Sequence, residues 1–258
     1  MNTNRRMPRL ASAGELTTFM SHHEPLDLLA FGPHPDDLEI GLGGTIARHA
    51  AAGQRVGLCD LTGGEMGSNG NVPERLAESE AASRVLGALW RENLGWPDRR
   101  FGKDSTHLEH AVVFLRRHRP RVVAVPYWSD RHPDHVVASN LLTEAVFNAG
   151  LRRYPAEGDP WKAEWICYYF INDTPTPSFV VDVTEHYEVK RRALDCHASQ
   201  FRTPSASGDV ATRLNTPLFR QMIESRDAHF GALAGVRWAE GFVVREPVVR
   251  AGLMRTPV

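Results

Sequence analysis

The sequence predicts an α/β fold: a Rossmann-like, mostly parallel sheet with helices on both faces and a smaller, irregular C-terminal part. Two observations carry that reading. Short apolar runs alternate with stretches of helical period from residue 26 to residue 151, the pattern of a parallel sheet crossed by helices. Two clusters, His34-Pro35-Asp36-Asp37 and His132-Pro133-Asp134-His135, each stand between an apolar run and a helical stretch. Open α/β sheets carry their sites at such junctions.

The elements follow in order. Leu26 to Phe31 is a largely apolar run ending at Gly32-Pro33, read as a central strand. Gly43-Gly44-Thr45 opens a helix through Ile46, Ala47, Ala50 and Ala51, with Gly53 where a C-cap belongs. Arg55 to Leu61 is the next strand. Thr62 to Val72 is a loop with glycine at 63, 64, 67 and 70, too long and polar for a tight turn; such loops are often functional. Pro73 starts a helix that Gly87 stops, since proline loses nothing at the first helical position. Thr106 to Arg119 is helical, with a strand expected before it. Arg121 to Trp128 is a strand and Asp134 to Leu151 a helix. Beyond these, Trp165 to Ile171 and Phe179 to Val183 read as strands, Glu185 to Ala198 as a helix, Thr203 to Arg213 as a mobile loop, Thr216 to Leu233 as a helix and Trp238 to Val244 as a last strand.

Composition narrows the function. The chain has 258 residues, and thirty Lys+Arg against thirty-one Asp+Glu leave a net charge of −1. That balance predicts neither nucleic-acid binding nor attraction to an anionic membrane. No apolar run approaches the roughly 18 residues of a membrane span. Arg5-Arg6 lacks the apolar stretch of a secretory or twin-arginine signal, because Gly14, Glu15, Thr17 and Thr18 interrupt it. Residues 1–24 read as a loose N-terminal tail, residues 25–258 as a single domain, and the last dozen as an exposed tail or subunit contact. Cys59, Cys167 and Cys196 are odd in number and widely spaced, which predicts reduced thiols and a cytoplasmic protein.

The two clusters carry the chemistry. Two imidazoles and a carboxylate make a three-ligand Zn²⁺ site with an open position. Asp36 or Asp134 is left over for proton transfer, the equipment of a metal-assisted hydrolase. The same donors accept Fe²⁺, Co²⁺ or Mn²⁺. If the two preceding strands are near neighbours, His34, Asp37 and His135 converge on one ion. Adjacent Asp36 and Asp37 then need a backbone turn, which Pro35 and the glycines at 41, 43 and 44 favour. Each aspartate has a competing use as a helix N-cap, and Asp134 another as partner to a histidine's far nitrogen. The remaining histidines read as solvated or structural, with His197 kept open because Gln200 and Phe201 follow it into a polar loop. Gly41-Leu42-Gly43-Gly44, with Asp60 ending the next strand, imitates a dinucleotide fingerprint. That reading fails because His34-Pro35-Asp36-Asp37 occupies the place of the glycines, and a pyrophosphate would face carboxylates.

The stretches Gly32-Pro33-His34-Pro35-Asp36-Asp37-Leu38-Glu39-Ile40-Gly41 and Asp130-Arg131-His132-Pro133-Asp134-His135 resemble the LmbE-like, or PIG-L, family of zinc-dependent N-acetylglucosaminide deacetylases. Tyr127-Trp128, Tyr168-Tyr169-Phe170-Ile171-Asn172, Ser199-Gln200-Phe201 and Ala239-Glu240-Gly241-Phe242 look closest to the branch that deacetylates N-acetylglucosaminyl-malate for bacillithiol. The resemblance implies metal ligands at His34, Asp37 and His135, a general base at Asp36 and an oxyanion-stabilising histidine at His132. It also implies substrate-binding arginines at Arg75 and Arg131, and in such a mechanism Asp134 would orient His132 or His135. Some members use a tyrosine after the Ser-Gln stretch at the oxyanion. Thr203 to Phe219 contains none, which leaves Tyr127 and His197 as stand-ins. The resemblance further implies a small amino-sugar substrate and a homo-oligomer, often a hexamer. A deacylase for another N-acyl sugar or thiol conjugate (chitobiose, mycothiol-type, antibiotic) is the alternative. A non-catalytic binder of the same fold is disfavoured by the presence of Asp36.

Overall fold

The computed structural model describes residues 24–204 and 210–249. Residues 1–23 of the expected tail and most of the C-terminal contact segment, from residue 250, lie outside them, as does part of the expected loop between Thr203 and Arg213. Seven strands form one sheet: β1 (Leu28–Gly32), β2 (Val56–Thr62), β3 (Trp90–Trp96), β4 (Val122–Pro126), β5 (Trp165–Tyr169), β6 (Phe179–Asp182) and β7 (Ala239–Val243), in the order β3-β2-β1-β4-β5-β7-β6. The first five in that order run parallel, and β7 is antiparallel to both β5 and β6.

Helices α1 (Asp37–Ala51), α2 (Val72–Leu86) and α5 (Tyr187–Cys196) cover one face, and α3 (Ser105–His118) and α4 (Pro133–Ala149) the other. A four-residue α6 (Ala198–Phe201) and α7 (Pro217–Ala234) complete the C-terminal part. Strand β1 is buried throughout, with Leu28 and Ala30 in one core and Leu29 and Phe31 in the other. That two-sided burial explains its unbroken apolar sequence.

Three expectations need correction. Helix α1 begins at Asp37 rather than at the glycines, and it carries a break at Leu42 (φ −146°, ψ 25°). The freed N–H groups of Gly44 and Thr45 donate to the Glu240 carboxylate, at 2.9 and 2.7 Å. The glycines make close packing rather than the turn after Pro35: a Cβ on Gly41 would lie 2.2 Å from the Tyr169 ring, and one on Gly44 2.8 Å from Val183. The expected helix over Glu185–Ala198 is a single 3-10 turn at Thr184–His186 followed by α5 and, after His197, α6. Strand β3 stands at the sheet edge and keeps polar Arg91, Glu92 and Asn93 in its middle, so no apolar run marks it.

Chain order reverses between β1 and β4, which pair directly from Leu28↔Val122 to Ala30↔Ala124. Loops leaving the carboxyl ends of two such strands share the crevice at the reversal. The first of those loops carries His34 to Asp36 and leads into Asp37, the first residue of α1; the second carries Asp130 to His132 and leads into the first turn of α4, which holds Asp134 and His135.

Candidate metal centre

The two loops meet. His34 Nδ1 lies 3.0 Å from Asp37 Oδ2, and His135 Nε2 lies 3.3 Å from Asp37 Oδ1. The His34 and His135 rings are 5.6 Å apart, and His132 stacks on His135 at 4.7 Å. His34, His132 and His135 each offer a nitrogen within 4.8 Å of the others, and His34, Asp98 and Asp134 form a second such group. These residues border a cavity of about 320 Å³ together with Asp36, Arg131 and Arg213; Asp134 alone stands behind it.

The far nitrogens decide which donors face the cavity. His34 Nε2 stands 3.3 Å from Asp98 Oδ1 and 3.4 Å from Asp134 Oδ2, and His135 Nδ1 3.0 Å from Asp130 Oδ1. A proton on each far nitrogen leaves lone pairs on His34 Nδ1 and His135 Nε2, the two nitrogens beside the Asp37 carboxylate, as in carboxylate-backed metal-binding histidines. The pocket's electrostatics agree. Burial alone depresses an imidazolium, yet the carboxylates of Asp134, Asp37 and Asp98 around it raise His34 well above its ordinary value. Asp37 and Asp130 likewise outweigh burial and carry His135 up to about 9. A buried cluster this rich in carboxylate favours a cation. Two imidazoles and a carboxylate with an open side toward the cavity fit a divalent ion such as Zn²⁺.

Asp36 is buried beside this group and takes φ 131°, ψ −25°, with no capping hydrogen bond from its side chain. A non-glycine residue here is strained by about 1–3 kcal/mol. The strain lets Asp36 and Asp37 diverge, so the cap reading of Asp36 is not realised. Burial pushes the Asp36 carboxyl up to about 6, with Arg75 pulling against it. Arg75 is buried as well, and its guanidinium donates to Gly64 O (2.9 Å), Pro35 O (2.9 Å) and Asp36 Oδ2 (3.4 Å). Arg75 thus holds the glycine loop and Asp36 while also bordering the cavity.

His132 is the N-cap of α4: its Nδ1 accepts from the Asp134 N–H at 3.3 Å. The neutral ring therefore carries its hydrogen on Nε2, available to donate. Burial and the nearby His34 and His135 lower its pKa. The Asp134 carboxylate faces His34, not His132 or His135, and is gripped by Arg99 through its backbone N–H (3.0 Å) and Nη1 (2.6 Å). Arg131 lines the cavity, is exposed, and has no hydrogen bond or ion pair among the described residues. Tyr127 is not brought in; its ring packs on Trp128 and Phe170. His197 is fully buried behind the site, 3.2 Å from Glu39 Oε2.

From sequence alone, Asp98, Arg99, Asp130 and Arg213 have no assigned role. Asp130 stands inside one of the motif stretches; its Oδ1 also accepts from the His132 N–H (2.8 Å) and Asn172 Nδ2 (2.9 Å). Asp98 and Arg99 follow strand β3, and the signal for them is Trp96-Pro97-Asp98, a strand end, a proline and an acid as at the other two loops. Arg213 donates to Asn172 Oδ1 at 2.6 Å.

Fold and site together define an α/β protein with a candidate metal centre at the topological switch point. Residues 29–146 match the family model described as PIG-L, GlcNAc-PI de-N-acetylase. The chain is 32% identical to a diacetylchitobiose deacetylase of Thermococcus kodakarensis, over 83% of this chain and 81% of that one. It is 30% identical to the 1D-myo-inositol 2-acetamido-2-deoxy-alpha-D-glucopyranoside deacetylase of Rhodococcus jostii, over 83% and 94% of the two chains. Among solved structures it is similar to the conserved protein TT1542 from Thermus thermophilus, with a TM-score of 0.79, 40% identity, and coverage of 90% of this chain and 100% of that one. The chain belongs to the PIG-L, LmbE-like family of de-N-acetylases.

Proposed function

We propose that the chain is a metal-dependent N-deacetylase that releases acetate from an N-acetylglucosamine conjugate. The observation that carries this reading is that His34 and His135 both stand against Asp37, with the buried carboxylate of Asp36 beside them and held by Arg75. His34, Asp37 and His135 hold the ion, with zinc as the metal. When bound, it supplies Lewis acidity, lowering the pKa of its water toward about 7 and polarising the acetamide carbonyl.

The chain's own groups do the rest. Asp36, set near neutrality by burial, takes the proton of the attacking water as general base. His132 Nε2–H donates to the carbonyl oxygen as negative charge develops there, a contact worth about 2.7–4 kcal/mol of barrier in comparable sites. Arg75 orients Asp36. Asp36 then passes that proton to the amide nitrogen, the C–N bond breaks, and acetate and the free amino sugar leave.

The substrate we favour is N-acetylglucosaminyl-malate. The guanidinium of Arg131 supports it, since a fork at the cavity wall with no partner among the described residues suits an aglycone carboxylate. The likeness to a diacetylchitobiose deacetylase favours a second reading, an N-acetylated chitobiose. Acetate release from the two substrates separates them. Arg131→Ala is expected to cut turnover of the malate conjugate at least tenfold more than turnover of the chitobiose. Equal losses would remove the carboxylate role, and activity on neither substrate would remove the substrate assignment.

A further inference from the structure

Asp98 is 6% exposed and lies between two partners on different elements. Its Oδ1 is buried, accepts no hydrogen bond and stands within ion-pair reach of His34 Nε2, at 3.3 Å. Its Oδ2 accepts the backbone N–H of Met66 at 3.0 Å, and its own N–H donates to Glu65 Oε1 at 2.7 Å. One carboxylate thus touches both the far side of a metal-facing imidazole and the glycine-rich loop that borders the same cavity. The adjoining Arg99, at φ 64°, holds Asp134, the second carboxylate on His34 Nε2. The turn after β3 therefore supplies or anchors both acceptors for that nitrogen.

We propose that Asp98 is the positioning residue of the centre: with its unpartnered Oδ1 3.3 Å from His34 Nε2 it draws the neutral proton to that nitrogen and presents the Nδ1 lone pair to the metal, and through the Met66 amide it ties the order of the glycine loop to metal occupancy. Either histidine nitrogen can carry the neutral proton, and the far-side hydrogen bond selects which. Removing such a partner typically costs about 10–100-fold in metal affinity. This inference rests on the metal reading above but not on the substrate.

The test is zinc affinity of the purified full chain by competition with a chromogenic chelator, for wild type, Asp98→Asn and Asp98→Glu. The expected result is one zinc per chain in all three. Affinity should fall about 10–100-fold in Asp98→Asn and recover in part in Asp98→Glu. The visible spectrum of the Co²⁺-loaded protein should change in Asp98→Asn, which a purely structural loss would not produce. Hydrogen exchange at the Met66 amide of the wild type should slow at least several-fold on adding zinc, a readout that does not depend on any variant folding. Affinity in Asp98→Asn within twofold of wild type overturns the proposal, as does Met66 exchange indifferent to zinc. Two zinc ions per wild-type chain, with one lost in Asp98→Asn, also overturns it by making Asp98 a ligand. A wild type that binds no zinc overturns the metal reading itself, whereas zinc binding without acetate release overturns only the substrate reading.

Discussion

Asp36 concentrates the conflict between folding and chemistry. Its backbone sits at a positive φ that only glycine adopts freely, and its carboxyl is buried where ionisation is disfavoured. Both features oppose folding, and both serve a base that must stand apart from Asp37. Asp36→Gly is therefore expected to raise the melting temperature of the metal-free protein, by relief of roughly 1 kcal/mol or more of strain, and to abolish turnover. A fall in melting temperature would show that the Asp36–Arg75 contact outweighs the strain. Asp36→Asn keeps the side-chain volume; it is expected to retain zinc by metal analysis and lose about 10²–10⁴-fold in kcat/KM, the usual worth of a general base.

Among the elements, α1 ties the N-terminal half of the sheet to the C-terminal strands. Its break at Leu42 exposes two backbone donors, and Glu240 of β7 accepts both while also binding Lys190 Nζ at 2.7 Å. Lys190 is fully buried, with Asp227 as its other partner at 2.6 Å. Removing one member of a buried charge network costs about 3–5 kcal/mol. Glu240→Ala should lower the unfolding free energy by that amount in urea titration; a loss below about 1 kcal/mol would mean that the network relaxes around the gap. Gly41 marks the closest approach of α1 to β5. Gly41→Ala places a methyl against the Tyr169 ring and should destabilise by about 1–3 kcal/mol. Because α1 begins at Asp37, the same variant should also weaken zinc binding if the displacement reaches the first turn, which chelator competition measures.

For the whole molecule, the candidate ligands come from the strand-to-helix junctions after β1 and β4, almost a hundred residues apart in sequence. An ion that binds only when these loops are together stabilises the fold by mass action, about 2.7 kcal/mol at a hundredfold excess over its dissociation constant. Zinc should therefore raise the melting temperature by several degrees. Chelation should abolish acetate release, and zinc should restore it. Activity that survives exhaustive chelation would refute a metal-dependent mechanism.

The amino-acid sequence by itself determined the parallel sheet, because two-sided burial writes unbroken apolar runs such as Leu28 to Phe31, and helices return at their own period. It also marked His34, Asp36, Asp37, His132 and His135, because those residue types stand between a strand and a helix with proline beside them. Tertiary structure alone decided how they are used. Which nitrogen of His34 faces the cavity depends on Asp98, a residue beyond an edge strand whose polar middle carries no apolar signal. Whether Arg75 meets substrate or protein depends on the fold of the glycine loop around it, and whether Asp134 supports His34 or His135 depends on Arg99. Partners such as these are chosen by distance in space, and local sequence pattern records only the element to which each residue belongs.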